Sequence, residues 1–270
     1  MAAMRPPHAS CSRLGASEAS DSAMSAYSAL GTLFYDADKP RAGAAEVAWY
    51  AARLPRDAGP VLEAMVGSGR LLVPLLEAGF EVHGVDSSEA MLANCEQRIA
   101  IGGRATQLYR QNVATLNLPT RYAAAFIAAG SFQLLADPIA ALDTLLRIRA
   151  HLIDPGLLLL DLFVPAEAEH PPGAPIVEVR TVTAGEGVHI GLRSETSCDV
   201  DLRRIDVRTR YERRDQTTIT AREDETWALT WYTEDEAVRL LGDAGYRDIR
   251  IEPAAWPRED GRHFAVSARA

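Results

Sequence analysis

In VLEAMVGSGRLL, from Val61 to Leu72, an apolar run stops at the carboxylate of Glu63, crosses Gly67 and Gly69, and resumes at Leu71 with helical spacing. A glycine turn between a strand and a helix can hold a small charged ligand, because the first helical amides are free and the helix dipole adds positive potential. Two familiar loops of this kind fit poorly. A triphosphate-binding loop needs Gly-Lys-Ser/Thr, and Gly69-Arg70-Leu71 stands there instead. A dinucleotide loop needs a third glycine for close helix–strand packing, and Leu72 takes its place. A second carboxylate, Asp86, ends the next apolar run, FEVHGVD.

Groups able to move a proton are fewer. His170, His189, His263 and Asp161 are candidate general bases, whereas His83 and His151 fall in expected core elements. Asp161 lies near the end of LLLLDLF, toward the carboxyl edge of a strand, where it either faces an acceptor or holds a neighbouring loop amide. Cys11, Cys95 and Cys198 are scattered without metal or disulfide spacing, which points to a reducing, cytoplasmic setting with no bound metal. Lys39 is the only lysine, so Schiff-base chemistry is disfavoured. The net charge of −9 argues against a nucleic-acid partner. No run reaches the roughly 18 apolar residues of a membrane span.

The elements that must position these residues alternate. Helical spacing over Ala42 to Leu54 precedes the strand PVLEAM, and a helix over Arg70 to Glu77 follows it. FEVHGVD, TQLYRQ, YAAAFIAA and LLLLDLF read as further strands, separated by the helices SSEAMLANCEQRI and ALDTLLRIRAHL. Strands alternating with helices imply a doubly wound parallel sheet. From about Pro171 to Trp231 the texture becomes alternating and charge-laced, an antiparallel meander with one wet face. Helical spacing returns in TEDEAVRLLGDAGY, capped by Thr233, before two last strands, DIRIEP and HFAVSAR.

Glu63-x-Met65-x-Gly67-x-Gly69 with Asp86 resembles the E-x-G-x-G-x-G loop and ribose-binding acid of class I S-adenosylmethionine-dependent methyltransferases. YRQNVATLNLP and FIAAGSFQLL resemble that family's third and fourth motifs in the right order. The resemblance implies a Rossmann-like α/β fold with a seven-stranded sheet, mostly parallel with the last strand antiparallel, plus the inserted meander. It implies S-adenosylmethionine as cofactor and S-adenosylhomocysteine as product. The implied cofactor residues are Tyr27, Tyr35, Glu63, Ala64, Met65, Gly67, Gly69, Asp86, Ser87, Met91, Asn112, Val113, Ala129 and Ser131. Met91 could equally be core, and Asn112 either reads adenine or makes a loop turn. Met65 replaces the first glycine, so its backbone is expected in a region open to any L-residue.

The insertion resembles the small sheet over the acceptor pocket of glycine and amino-sugar N-methyltransferases. The expected acceptor chamber is Phe132, Gln133, Phe163, Trp227, Trp231 and Tyr232, with Asp161, His189 or His263 as base if one is needed. Missing metal spacing disfavours catechol-type O-methylation, so nitrogen is favoured over oxygen. The expected layout is a leader over 1–25, a helical lid over 26–58, a core of 59–170 and 231–270, and the inserted sheet over 171–230. Partners are a small-molecule acceptor and, at most, a second copy of the chain. The competing readings are an NAD-linked oxidoreductase and a non-catalytic cofactor-binding subunit.

Overall fold

The computed structural model describes residues 27–169, 173–255 and 261–270; the expected leader and His170 lie outside them. Two helices come first, α1 (Ala29–Asp38) and α2 (Ala44–Ala51). Strands and helices then alternate: β1 (Val61–Ala64), α3 (Leu72–Glu77), β2 (Val82–Asp86), α4 (Glu89–Ile101), β3 (Leu108–Arg110) and β4 (Tyr122–Ile127). They continue through α5 (Pro138–His151), β5 (Leu152–Pro165) and the single turn α6 (Ala166–Glu169). Four long strands follow, β6 (Ile176–Gly185), β7 (Val188–Asp199), β8 (Arg204–Asp215) and β9 (Thr218–Thr230). The chain closes with α7 (Glu234–Asp243), β10 (Arg247–Pro253) and β11 (Gly261–Arg269).

Seven strands form one sheet in the order β10-β11-β5-β4-β1-β2-β3. β1 to β5 run parallel, and β11, the last strand, is antiparallel to both its neighbours. β1 and β4 are buried along their whole length, and their residues are accordingly apolar or aromatic except for Glu63. The chain winds outward from β1 in one direction and from β4 in the other. The crevice at their carboxyl ends is therefore the switch point, where ligands collect in open α/β sheets.

Local chemistry sets the helix starts. Ser88 caps α4 by accepting from the Met91 amide. Thr233 and Glu236 make a reciprocal capping box on α7. Pro74 sits in the first turn of α3, where a missing amide costs least.

The meander is a separate four-stranded sheet, β6-β7-β8-β9. Its inner face packs on α1, joining Leu30 and Phe34 to Ile190 and Tyr211. Its outer face carries ion pairs such as Arg210–Asp224 and Arg222–Glu212. α1 is fixed from both sides. The Ser28 and Leu30 amides donate to Glu225 and Glu223 of β9, while Asp36 accepts from Ser68 and Asn94 and pairs with Arg98 of α4. α1 is thus a strap between the meander and the glycine turn.

Candidate cofactor and acceptor site

A cavity of about 580 Å³ opens at the switch point, beneath α1. Its floor is the turn after β1, with Glu63, Met65, Val66, Gly67 and Arg70 on the wall. Asp86 holds that turn: one carboxylate oxygen accepts from the Gly67 amide at 2.8 Å and the other from Ser88 at 2.9 Å. Each oxygen keeps a lone pair for a ligand. Burial raises the Asp86 pKa, against the lowering effect of these backbone amides.

The expected cofactor residues all line this cavity except Ala64 and Gly69. Ala64 is fully buried within β1. Gly69, with φ +79°, serves packing: a Cβ there would stand 2.7 Å from Cys95 Sγ of α4. Asn112 makes the loop turn anticipated for it, its Oδ1 accepting from the Ala114 amide, and it also lines the cavity. Met91 likewise lines the cavity although it is buried in the core.

Met65 departs from expectation. Its φ is +60°, in the left-handed region that glycine normally fills. Tyr27 (φ +79°) and Ala129 (φ +54°) share that region and also line the cavity. Strained backbone held by surrounding structure is a recurrent mark of ligand sites.

A charged cluster lies below. Arg70 makes a buried bidentate pair with Glu46 of α2, both bonds at 2.7 Å. Glu63 is 4% exposed and its Oε2 has no partner among the described residues. Burial pushes its carboxyl well above the usual carboxylate range, more than Arg70 draws it down. Tyr35 lies beside Arg70, and burial raises its phenol too. The Tyr27 and Tyr35 rings meet edge to face at 5.4 Å.

Of the expected acceptor chamber only Trp227 lines the cavity, joined by Ser131, Leu134, Leu135 and Ala228. Phe132 and Trp231 are core residues, buried to 1% and 5%. Tyr232 packs on Phe132 with ring centroids 5.9 Å apart. Gln133 is fully buried as a tie, donating to the Phe163 and Thr230 carbonyls and accepting from the Phe163 amide. Phe163 stacks on His263 and closes against Gly130. The reason is helical phase: residues 131–134 form a 3₁₀ turn, which sends Phe132 and Gln133 inward and leaves Leu134 at the cavity.

The base candidates do not converge. His189 sits on the far hairpin, 3.3 Å from Thr183 Oγ1, and His263 is stacked on Phe163 behind the cavity wall. Asp161 takes the second of its two expected roles: its side chain accepts from the Ala129 amide at 3.2 Å and its carbonyl from Gly130. Burial pushes its pKa up to about 7. Sequence reasoning missed Arg70, Arg110, Gln111 and the leucine pair on the wall. For Arg70 a signal existed, since a lone charge opens the apolar run RLLVPLL.

The fold is the Rossmann-like fold of S-adenosylmethionine-dependent methyltransferases, and residues 61–152 match the family model described as Methyltransferase domain. The sugar N-methyltransferase KedS8 of Streptoalloteichus sp ATCC 53650 is similar at TM-score 0.71 and 20% identity, covering 95% of this chain and 97% of that one. A S-adenosylmethionine-dependent methyltransferase of Clostridium acetobutylicum ATCC 824 is similar at TM-score 0.69 and 15% identity, covering 87% and 96%. By sequence, the "Putative methyltransferase YqeM" of Bacillus subtilis (strain 168) is 28% identical over 114 residues, 42% of this chain and 46% of that protein. The chain spans about half the length of the curated relatives it matches. No helix among the described residues is long and apolar enough to cross a membrane.

Proposed function

We propose that this chain transfers a methyl group from S-adenosylmethionine to a nitrogen of a small, partly apolar molecule. The observation that carries the reading is the cavity itself, in which a glycine turn, the Asp86 carboxylate and the Asn112 segment meet at the switch point. The residues fit the cofactor. Asp86 has acceptor capacity for two ribose hydroxyls, and Met91 and Val113 supply apolar surface for a purine. The unpartnered Glu63 oxygen and the Arg70 guanidinium suit the ammonium and carboxylate of an amino-acid end.

S-adenosylmethionine supplies an activated methyl on sulfonium, so transfer gains chiefly from alignment and exclusion of water. Alignment falls to Ser131, Leu134, Leu135 and Trp227, and α1 with Tyr27 closes the cavity above. A hydroxyl acceptor would need a base, whereas an uncharged nitrogen does not. The described histidines stand off the cavity, and Asp161 is engaged with the Ala129 amide. That distribution supports nitrogen, as does the likeness to a sugar N-methyltransferase.

Calorimetry with S-adenosylhomocysteine tests the cofactor. Asp86→Ala is expected to cost about 1.5–3 kcal/mol of affinity, and unchanged affinity overturns the assignment. A rate series with an identified acceptor tests the chemistry. Trp227→Ala should slow transfer, while His189→Ala and His263→Ala leave it intact. A loss of about 10²–10⁴-fold from a histidine or from Asp161→Asn, as removal of a general base causes, would make the acceptor a hydroxyl.

A further inference from the structure

We propose that the cavity takes up the amino-acid end of its ligand in exchange for a proton, which Glu63 holds in the free protein and gives up to solvent when a ligand ammonium settles beside it. The inference rests on the cofactor reading above and concerns how that end is captured. Glu63 lies on the cavity wall, 4% exposed, with Oε2 unpartnered among the described residues. The charged and titratable groups around it are Arg70 from the glycine turn, Glu46 and Tyr50 from α2, Tyr35 from α1, Asp86 from β2 and Cys95 from α4.

That set holds more acid than base. Arg70 is its one cation, and Glu46 already grips both Nη atoms at 2.7 Å. Burial raises Tyr35, Tyr50 and Cys95, so all three stay neutral at ordinary pH. Asp86 is served by the Gly67 and Ser88 amides. An ionised Glu63 would therefore be a second buried carboxylate beside Glu46 without a cation of its own. Carboxylates that share a site and one counter-charge hold a proton on one of the pair. Glu46 has the bidentate guanidinium, so the proton resides on Glu63. Burial of Glu63 acts in the same direction.

Glu63 gains its missing counter-charge when a ligand ammonium comes within hydrogen-bond reach of Oε2, while Arg70, also on the cavity wall, answers the ligand carboxylate. The O–H bond of Glu63 breaks, its electron pair stays on the carboxylate that now pairs with the ammonium, and the proton leaves through the cavity to solvent. The complex thus holds one proton fewer than the separate partners. Affinity must then rise with pH, by about tenfold per unit while the free protein keeps Glu63 protonated. It levels off above the pH at which Glu63 ionises unaided.

Calorimetry of the full chain near neutral pH, in buffers of different ionisation enthalpy, counts the protons. S-adenosylhomocysteine carries the amino-acid end and is expected to release about one proton per molecule bound. Methylthioadenosine keeps adenine and ribose but lacks that end, and should release none, which separates Glu63 from Asp86 as the source. Glu63→Gln, of the same shape and always neutral, should bind S-adenosylhomocysteine with no proton released and with an affinity that stays flat with pH. The comparison of two ligands on the unsubstituted chain stands whatever the variant does to folding. Three results overturn the proposal and leave the cofactor reading in place: S-adenosylhomocysteine bound without proton release, equal release by methylthioadenosine, or undiminished release in Glu63→Gln. Failure of the unsubstituted chain to bind either nucleoside overturns both.

Discussion

At the scale of single residues, the cavity is bounded by side chains held in backbone states that their sequence does not advertise. Met65 shows this best, because φ +60° makes it an L-residue doing what a glycine usually does. The left-handed conformation costs roughly 1–2 kcal/mol, recovered by the surrounding fold. Met65→Gly releases that cost while losing side-chain contacts and adding chain entropy, so denaturant unfolding should show little net change. Met65→Val should lower stability by about 1–3 kcal/mol, since a β-branched residue fits the region worst. Asp161 offers a pH handle. Its carboxyl is raised from 3.8 to about 7, so between those values the folded protein keeps a proton that the unfolded chain has released. Its contribution to stability is greatest below about pH 4 and is lost as pH rises toward 7. Asp161→Asn lacks this loss. Its stability relative to the parent chain should climb by about 1 kcal/mol or more from pH 4 to pH 7.5 in paired denaturant titrations. Glu63, Gly67 and Asp86 were legible because their spacing carries the loop chemistry. The left-handed state of Met65 was not, because a substituted glycine position does not reveal whether the backbone moved or the residue was forced.

At the scale of elements, α2 is locked to the start of α3 by the buried Arg70–Glu46 pair, between residues 24 positions apart. Glu46→Ala takes the bidentate carboxylate from a buried guanidinium, and should cost about 3–5 kcal/mol in thermal or denaturant unfolding. Replacing both, with Glu46→Leu and Arg70→Met, should restore most of that stability yet weaken S-adenosylhomocysteine binding, because Arg70 also faces the cavity. Stability and affinity measured on the same double variant separate the two roles. The helices themselves were readable from periodicity and from caps such as Ser88 and Thr233. The role of Glu46 was not readable, because its partner is chosen by tertiary packing. The burial of most of the expected aromatic chamber has a related cause. Phe132, Trp231 and Tyr232 carry large apolar surfaces, and the core claimed them before a ligand could.

At the scale of the whole molecule, short, largely apolar strands between helices made the parallel sheet legible, and the change to alternating charge made the meander legible. Their mutual placement was not, since no local pattern says that α1 lies between them. That placement has a consequence for how the molecule comes into being. The first amides of α1 rest on carboxylates of Glu223 and Glu225, which are 193 and 197 positions further along the chain. A protein is synthesised from its amino end, so α1 emerges early and meets Ser68, Asn94 and Arg98 long before its other seat, on β9, is made. The wall that Trp227 and Ala228 supply is therefore the last part of the cavity to be laid down, after the glycine turn and Asp86 already stand in place.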